Sequence, residues 1–301
     1  MILRTKISIY RNIFPYNFTP KLNSKEGEFL IQKIIYSFFK KNIIKKNEIK
    51  KKEIQKLKNL DLIEKNIPFH IKPKYFYLDD KKTILEINSK EHLIINIYDD
   101  GGLIEKLNTK ITDLQNKTDL TFSYSKKFGF LTSDINLCGY AKSVTLYIFI
   151  PSLSLLNKTS EISENLKNFQ IDLSGFFYNP NPYGFFKLRF IQKENDDDFK
   201  KRIENTLNMI LSLEEKESKN YIHKNTLIFK DKVSKSLGIF KNAYIITIDE
   251  YFKNIMYILW GKKEGIIIDN ETIENKFFNL INKKDNERAE ILKYMKLSAK
   301  I

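Results

Sequence analysis

The sequence predicts an α+β fold, and three observations predict it. Residues 84–87 and 93–98 are β-branched runs, ILEI and LIINIY, that read as antiparallel strands around the polar hinge Asn88-Ser89-Lys90-Glu91-His92. Residues 128–153, FGFLTSDINLCGYAKSVTLYIFIPSL, read as a strand, a polar loop at 132–142 and a buried strand closed by Pro151. Elsewhere apolar residues recur at helical spacing, as in Phe29, Ile31, Ile34, Ile35, Phe38 and Phe39. A polar loop between two core strands is a place where a site can form.

Residues 4–12, RTKISIYRN, alternate as a short strand with cations on one face, as an edge strand would expose them. A helix is expected over 26–40. Residues 40–58 follow with nine lysines against two glutamates, a pattern read first as a solvated face. Residues 69–100 form the strand region, with a turn at Asp80-Lys81-Lys82. Gly101-Gly102 starts a helix to about Asn116, with Leu103, Ile104, Leu107, Ile111 and Leu114 inward. LTFSYS and FGFLTS form a hairpin turning at Lys126-Lys127, and residues 154–167 read as one helix. Residues 171–192 read as two strands about the turn former Asn179-Pro180-Asn181-Pro182. Asp196-Asp197-Asp198 open a helix to about Lys219, where first-turn acids suit the macrodipole. Three adjacent carboxylates on a helix cannot converge on one metal ion. A boundary is expected within residues 220–230, dividing the chain into a catalytic-type domain at 1–222 and a helical C-terminal domain at 223–301.

Composition sets further limits. With 42 % hydrophobic residues in 301, the chain has enough apolar surface for a sizeable core and is not a disordered tail. The net charge of +15 sits in a sequence skewed to Lys, Ile, Asn and Phe, as AT-rich codons produce, so basicity alone does not point to nucleic acid. One cysteine, Cys138, excludes internal disulfides and fits a reducing compartment. Three histidines and that cysteine offer no metal-ligand spacing. The N-terminal MILRTKISIYRNIF lacks the apolar core and cleavage site of a secretory signal, and no run of about 18 apolar residues exists. The expected location is the cytoplasm, with no membrane and no metal.

The motifs resemble those of the ATP:guanidino phosphotransferases, and within them the bacterial protein arginine kinases. Where that family reads G-[FY]-L-T-[SA]-C-P-T-N-x-G-T-G-x-R-A-S-V, this chain keeps the frame from Gly129 to Val144. Asp134 (or Ser133) stands at the family's active-site cysteine, and Ser143 (or Lys142) at a phosphate-binding arginine. Against S-S-R-I-R-L-A-R-N, Lys6, Ser8 and Arg11 fall on the three arginines and Asn12 matches. Against N-E-E-D-H, Lys90 falls on the acid that orients the guanidinium and acts as base, and Ile94 falls on a further phosphate arginine. Glu91 is the neighbouring acid, and adjacent strand residues face opposite ways. His92 belongs to the frame. The family's R-G-x-x-G-E-x-x-E-A-x-G-x-[LIV]-Y-x-I-S-N-Q keeps only Gly184 and Gln192 here. Ser236, Gly238, Ile239, Ala243, Glu250 and Gly261 keep the frame of the protein-directed branch's C-terminal region. Lys284-Asp285-Asn286-Glu287-Arg288-Ala289 matches that branch's R-D-x-x-R-A, which forms a regulatory pocket for phosphoarginine. Two cations one helical turn apart can hold a phosphate and its guanidinium; the plain alternative is an exposed ladder of ion pairs.

The resemblance implies a mostly antiparallel sheet flanked by helices, as in a guanidino-kinase catalytic domain, with a small helical C-terminal domain. It also implies ATP and Mg²⁺ as cofactors if any family activity remains. Guanidine phosphorylation works by positioning and electrostatics, and an arginine at such a transition state is worth about 10³–10⁵ in rate. The arginines, the base and the cysteine are replaced together. The first reading is therefore a catalytically inactive homologue acting through protein or phosphoarginine binding. The implied partners are an arginine-phosphorylated protein, a zinc-binding activator or a Clp-type protease system, and the chain is open to homo-oligomerisation. The second reading is an active ATP-dependent protein arginine kinase using Lys6, Arg11 and Lys142 as stand-ins. A weaker third is a basic nucleic-acid-binding module on residues 40–58.

Overall fold

A computed structural model describes residues 1–39, 48–65, 72–78, 81–101, 104–116, 118–176, 183–269 and 273–299. Several expectations fall partly or wholly outside these residues: the lysine stripe at 40–47, the strand start at 69–71, Asp80, Gly102, Leu103 and the turn at 179–182. In chain order the strands are β1 (Ile2–Arg11), β2 (Lys74–Leu78), β3 (Thr83–Ile87), β4 (Leu93–Asp99), β5 (Tyr124–Ser125), β6 (Gly129–Phe130), β7 (Lys142–Phe149), β8 (Ile171–Gly175), β9 (Phe185–Ile191), β10 (Ile267–Asp269) and β11 (Leu297–Ala299). The helices are α1 (Ser24–Phe38), α2 (Lys51–Asn59), α3 (Ile104–Asn116), α4 (Pro151–Leu155), α5 (Thr159–Lys167), α6 (Asp196–Lys224), α7 (Thr226–Asn242), α8 (Ile248–Lys263), α9 (Ile273–Ile281) and α10 (Asp285–Lys293).

Seven strands form one antiparallel sheet in the order β2-β3-β4-β1-β7-β9-β8. The α+β expectation therefore holds. The reading of β1 as an exposed edge strand, one of two open for residues 4–12, is corrected: β1 lies in the middle, hydrogen-bonded to β4 on one side and β7 on the other. Its ten residues are long enough to pair along both neighbours, and Ile7 and Ile9 are fully buried. The expected helix at 154–167 is two: α4 ends at Leu155, Asn157 takes φ 55°, and α5 begins at Thr159. An asparagine tolerates that left-handed backbone, and there the helix is broken.

The alternation of the strands gives the sheet two unlike faces. One face carries Ile7, Ile9, Leu85, Ile95, Val144, Leu146 and Leu188, which pack on Leu30 and Ile34 of α1, Leu107 and Ile111 of α3, and Phe199, Ile203 and Ile210 of α6. Removing this apolar surface from water, at about 25 cal/mol per Å², stabilises the layer. Helix α1 starts on a capping box between Asn23 and Glu26, and α6 on Asn195, whose side chain accepts from the Asp198 amide. Midway along α6 the buried Glu214 carboxylate accepts from the Ser152 and Leu153 amides, capping the start of α4.

The other face is polar at its centre and covered in three places. Leu57, Leu62 and Ile63 lie over Tyr75 and Ile84. Leu137 and Ala141 of the 132–142 loop lie over Tyr10 and Ile94. The C-terminal helices cover Leu3, Tyr147, Phe149 and Phe185, with the Phe185 and Phe277 rings stacked at 4.7 Å. The boundary expected between 222 and 223 falls in the last turn of α6, and the residues beyond it share one apolar cluster with the sheet. No helix among the described residues is long and apolar enough to cross a membrane.

Gly184 tests this packing. It sits at φ 80°, and an added Cβ would lie 2.6 Å from the Pro151 Cα. Gly184→Ala is expected to cost about 1–3 kcal/mol, through backbone strain and that clash, read as a lower midpoint in urea unfolding.

Candidate functional site

Residues paired across an antiparallel sheet share a face, so the register locates the site. Lys6 pairs with Thr145 and Tyr98, Thr145 with Arg189, and Arg189 with Asp172. One step along, Ser8 pairs with Ser143 and Asn96, and Tyr147 with Lys187. These polar residues converge on one cavity of about 180 Å³, floored by Lys6, Tyr10, Ser143, Thr145, Lys187 and Arg189. Its far wall is the turn after α2, which brings Asp61, Glu64 and Lys65, and its rim carries Lys90 and Asp172.

The turn is tied down onto the floor. The Lys6 ammonium donates to the Asp61 carbonyl at 2.6 Å, and the Tyr147 hydroxyl donates to the same oxygen at 3.0 Å. The Asp61 carboxylate accepts from Lys187 at 3.0 Å and lies 3.7 Å from Lys65. Burial pushes that carboxyl up, but the fields of Lys6, Lys187 and Lys65 outweigh it and hold it below its ordinary range. Glu64 pairs with Lys90 at 3.1 Å. The Glu64 amide points into the buried Glu86 carboxylate, which also accepts from Asn96. Burial, then the charge of Glu64, raises Glu86 to about 8.

Of the residues singled out by sequence, Lys6, Lys90 and Ser143 meet at this cavity. Ser8 and Ile94 lie on the same face but are sealed: the Ser8 hydroxyl donates to Asn96 at 2.6 Å, and Ile94 packs with Leu137. Arg11 and Lys142 do not join them, which corrects their reading as phosphate stand-ins. Both sit at the opposite phase of strand alternation, Arg11 opposite Leu93 and Lys142 opposite Ile9. Arg11 is buried, donates to the Tyr10, Tyr140 and Ala141 carbonyls and to Gln115, and stacks 3.6 Å over Phe130. Burial lowers its pKa to about 9. Lys142 pairs with Asp196 at the start of α6.

The 132–142 loop is built as a brace. Asp134 is exposed and caps a short 3-10 turn, accepting from the Asn136 amide. Glu91 is buried and accepts from the Ser133 amide and hydroxyl and from Asn12, joining the hinge, β1 and the loop. It does not line the cavity; residues 88–92 form a bend between β3 and β4 rather than a strand, and its contacts with Asn12 and Ser133 turn Glu91 into the loop. His92 accepts from the Ile13 amide at Nδ1 and donates from Nε2 to the Asn17 carbonyl, and burial lowers it to about 4.

The C-terminal motif is arranged differently from an open phosphate pocket. Arg288 is only 2 % exposed. Its guanidinium donates to the carbonyls of Leu280, Ile246 and Lys283 and to the Asp285 carboxylate. Four of its five donors are thus used within the protein. Ala289 is buried, and Lys284 to Glu287 are exposed at the start of α10.

Sequence reasoning missed Asp61, Glu64, Glu86, Lys187 and Arg189. The signal for the last two was present: FKLRF puts Lys187 and Arg189 two apart on one strand face. With Gly184 and Gln192 as register marks, they stand on the Tyr and Ile of the family pattern. The acidic turn had no such signal, because only the tertiary fold brings it over the sheet.

Residues 26–181 match the family described as ATP:guanido phosphotransferase, C-terminal catalytic domain. The chain belongs to this family. Among curated relatives, it is 26 % identical over 283 residues to the protein-arginine kinase of Clostridium perfringens, covering 89 % of this chain and 83 % of that protein. It is 25 % identical over 287 residues to the protein-arginine kinase of Clostridium kluyveri, with 89 % and 82 % covered. Among solved structures, the substrate-free duplicated taurocyamine kinase from Schistosoma mansoni superimposes with a TM-score of 0.57 at 17 % identity. That match covers 71 % of this chain but 33 % of the kinase, about a third of its length. A lombricine kinase gives a TM-score of 0.57 at 11 % identity, covering 71 % of this chain and 66 % of that one. These two matches establish the guanidino-kinase fold and nothing finer.

The family implies a nucleotide and Mg²⁺, and the cavity residues do not fit them. The volume of about 180 Å³ is below the roughly 300–1,000 Å³ of pockets for such ligands. Two of the floor cations are already held by Asp61.

Two outcomes follow. Glu86 keeps its proton in the folded state between its ordinary 4.5 and about 8. Its contribution to stability is therefore complete below pH about 4.5 and is lost as pH rises through about 8. The thermal midpoint should fall between pH 6 and 9, with a shallower fall in Glu86→Gln. Arg288→Met should destabilise the chain by about 3 kcal/mol or more in urea unfolding, because it strands three carbonyls.

Proposed function

We propose that this chain is a non-catalytic member of the ATP:guanido phosphotransferase family that works by binding a protein partner. The observation that carries the reading is the occupation of the sheet's cationic floor by the chain's own Asp61–Glu64 turn. Lys6 and Lys187 are used to hold Asp61. A guanidine substrate is a cation, and the acid that would receive it is Lys90, itself paired with Glu64. The cavity wall carries five cations, Lys6, Lys65, Lys90, Lys187 and Arg189, against three carboxylates, Asp61, Glu64 and Asp172. That balance repels a guanidinium, and the two carboxylates of the covering turn, Asp61 and Glu64, are already paired with lysines.

An active kinase relying on Lys6, Arg11 and Lys142 has less support, since two of the three face away from the cavity. Phosphoarginine recognition by Lys284, Asp285 and Arg288 also has less support, since Arg288 is consumed by carbonyls. Protein binding is favoured by exposed aromatics: Phe29 and Tyr36 lie two turns apart on α1 at 58 % and 68 % exposure. The Tyr16 ring is 6.1 Å from Phe29. A zinc-binding activator or a Clp-type protease system, as the family resemblance implies, are partner classes suited to this reading.

The test is a phosphoryl-transfer assay with Mg-ATP and an arginine-rich protein acceptor, run beside a thermal-shift titration with Mg-ATP. No phosphoarginine and no midpoint shift are expected. Transfer that disappears in Lys6→Ala would overturn the proposal.

A further inference from the structure

The same cavity has a feature that loss of catalysis does not account for. Arg189 faces into it, paired across the sheet with Thr145, and is partly buried. Among the described residues its guanidinium makes one hydrogen bond, from Nη2 to the Tyr10 hydroxyl at 3.2 Å. The other cations around it are occupied. Lys6 holds the Asp61 carbonyl, Lys187 and Lys65 meet the Asp61 carboxylate, and Lys90 meets Glu64. Asp172, the cross-strand partner of Arg189, is exposed and accepts from the Ser174 hydroxyl.

We propose that this cavity binds one small phosphate-class dianion, gripped by Arg189 and the Ser143 and Thr145 hydroxyls. The proposal rests on the reading that no nucleotide is used here. Three physical facts support it. Five cations against three carboxylates leave two positive charges, and a phosphate carries about −1.5 to −2 near pH 7. The recess, about 180 Å³, is smaller than the roughly 300–1,000 Å³ of pockets for drug-sized ligands and suits a five-atom oxyanion. A guanidinium with free donors is a fork matched to two phosphate oxygens, and an arginine cannot relieve the local charge by deprotonating. Lys187 and Arg189 stand where the family pattern has Tyr and Ile, so this anion site uses residues of the chain's own. Lys90, 43 % exposed at the side chain, leaves the mouth open to a phosphate carried on a larger group.

The test is calorimetric titration of the full chain with inorganic phosphate and, separately, with O-phosphoserine, at constant ionic strength set with chloride. One saturable site is expected. Arg189→Gln should weaken it about 10- to 100-fold. Asp61→Asn removes a carboxylate that competes for Lys187, and should tighten it. Binding of inorganic phosphate identifies a free ion as the ligand, and binding of O-phosphoserine alone identifies a phosphorylated side chain. No saturable binding of either, or equal binding by a folded Arg189→Gln, overturns the proposal. If Arg189→Gln does not fold, a failure of Asp61→Asn to tighten binding overturns it instead. Phosphoryl transfer from Mg-ATP would sink the non-catalytic reading and leave this titration to be judged on its own.

Discussion

Asp61 holds the polar face of the sheet together. At φ 56° it sits in the left-handed region that aspartate tolerates, which turns its carbonyl and its carboxylate toward the same floor. The carbonyl takes Lys6 of β1 and Tyr147 of β7, and the carboxylate takes Lys187 of β9. One residue thus bridges three adjacent strands and anchors the turn that carries Glu64 to Lys90 and to Glu86. Without that anchor, like charges on neighbouring strands would face one another across a partly desolvated floor. With it, Lys6 and Lys187 are held by the protein itself, and what remains open is a small cavity around Arg189.

The two unlike faces of the sheet explain how the candidate residues divide. Strand alternation sends Lys6, Ser8 and Ser143 to the polar face and Arg11 and Lys142 to the other. Lone cations on an apolar face need partners, and both have them. Arg11 spends its donors on carbonyls and its flat surface on Phe130, and Lys142 reaches Asp196. Arg288 follows the same rule in the C-terminal helices. In each case a positively charged residue that looks like a ligand contact in one dimension is a brace in three.

The hinge and the loop after β6 show which parts of the family frame persist as structure. Glu91 gathers Asn12 and Ser133, and His92 gathers the Ile13 amide and the Asn17 carbonyl. Both are buried and hydrogen-bonded, so their removal would strand polar groups away from water. They keep the loop and β1 in place whatever the cavity binds.

The sequence by itself determined the class of fold, the main strands and helices, the helix opened by Asp196-Asp197-Asp198, and the family. Hydrophobic period and capping residues are local signals, and each element carries its own. The replacement of the expected arginines and of the guanidine-orienting acid was also legible, residue by residue. Only the tertiary structure decided that β1 is central, that Arg11 and Lys142 turn away, and that Arg288 is latched by carbonyls. It alone placed Asp61 and Glu64, from a turn after a lysine-rich helix, over cations on three strands. Contacts such as Asp61 to Lys187 join residues 126 apart, and no periodicity in the chain encodes a pairing set by how a sheet and its covering segment come together.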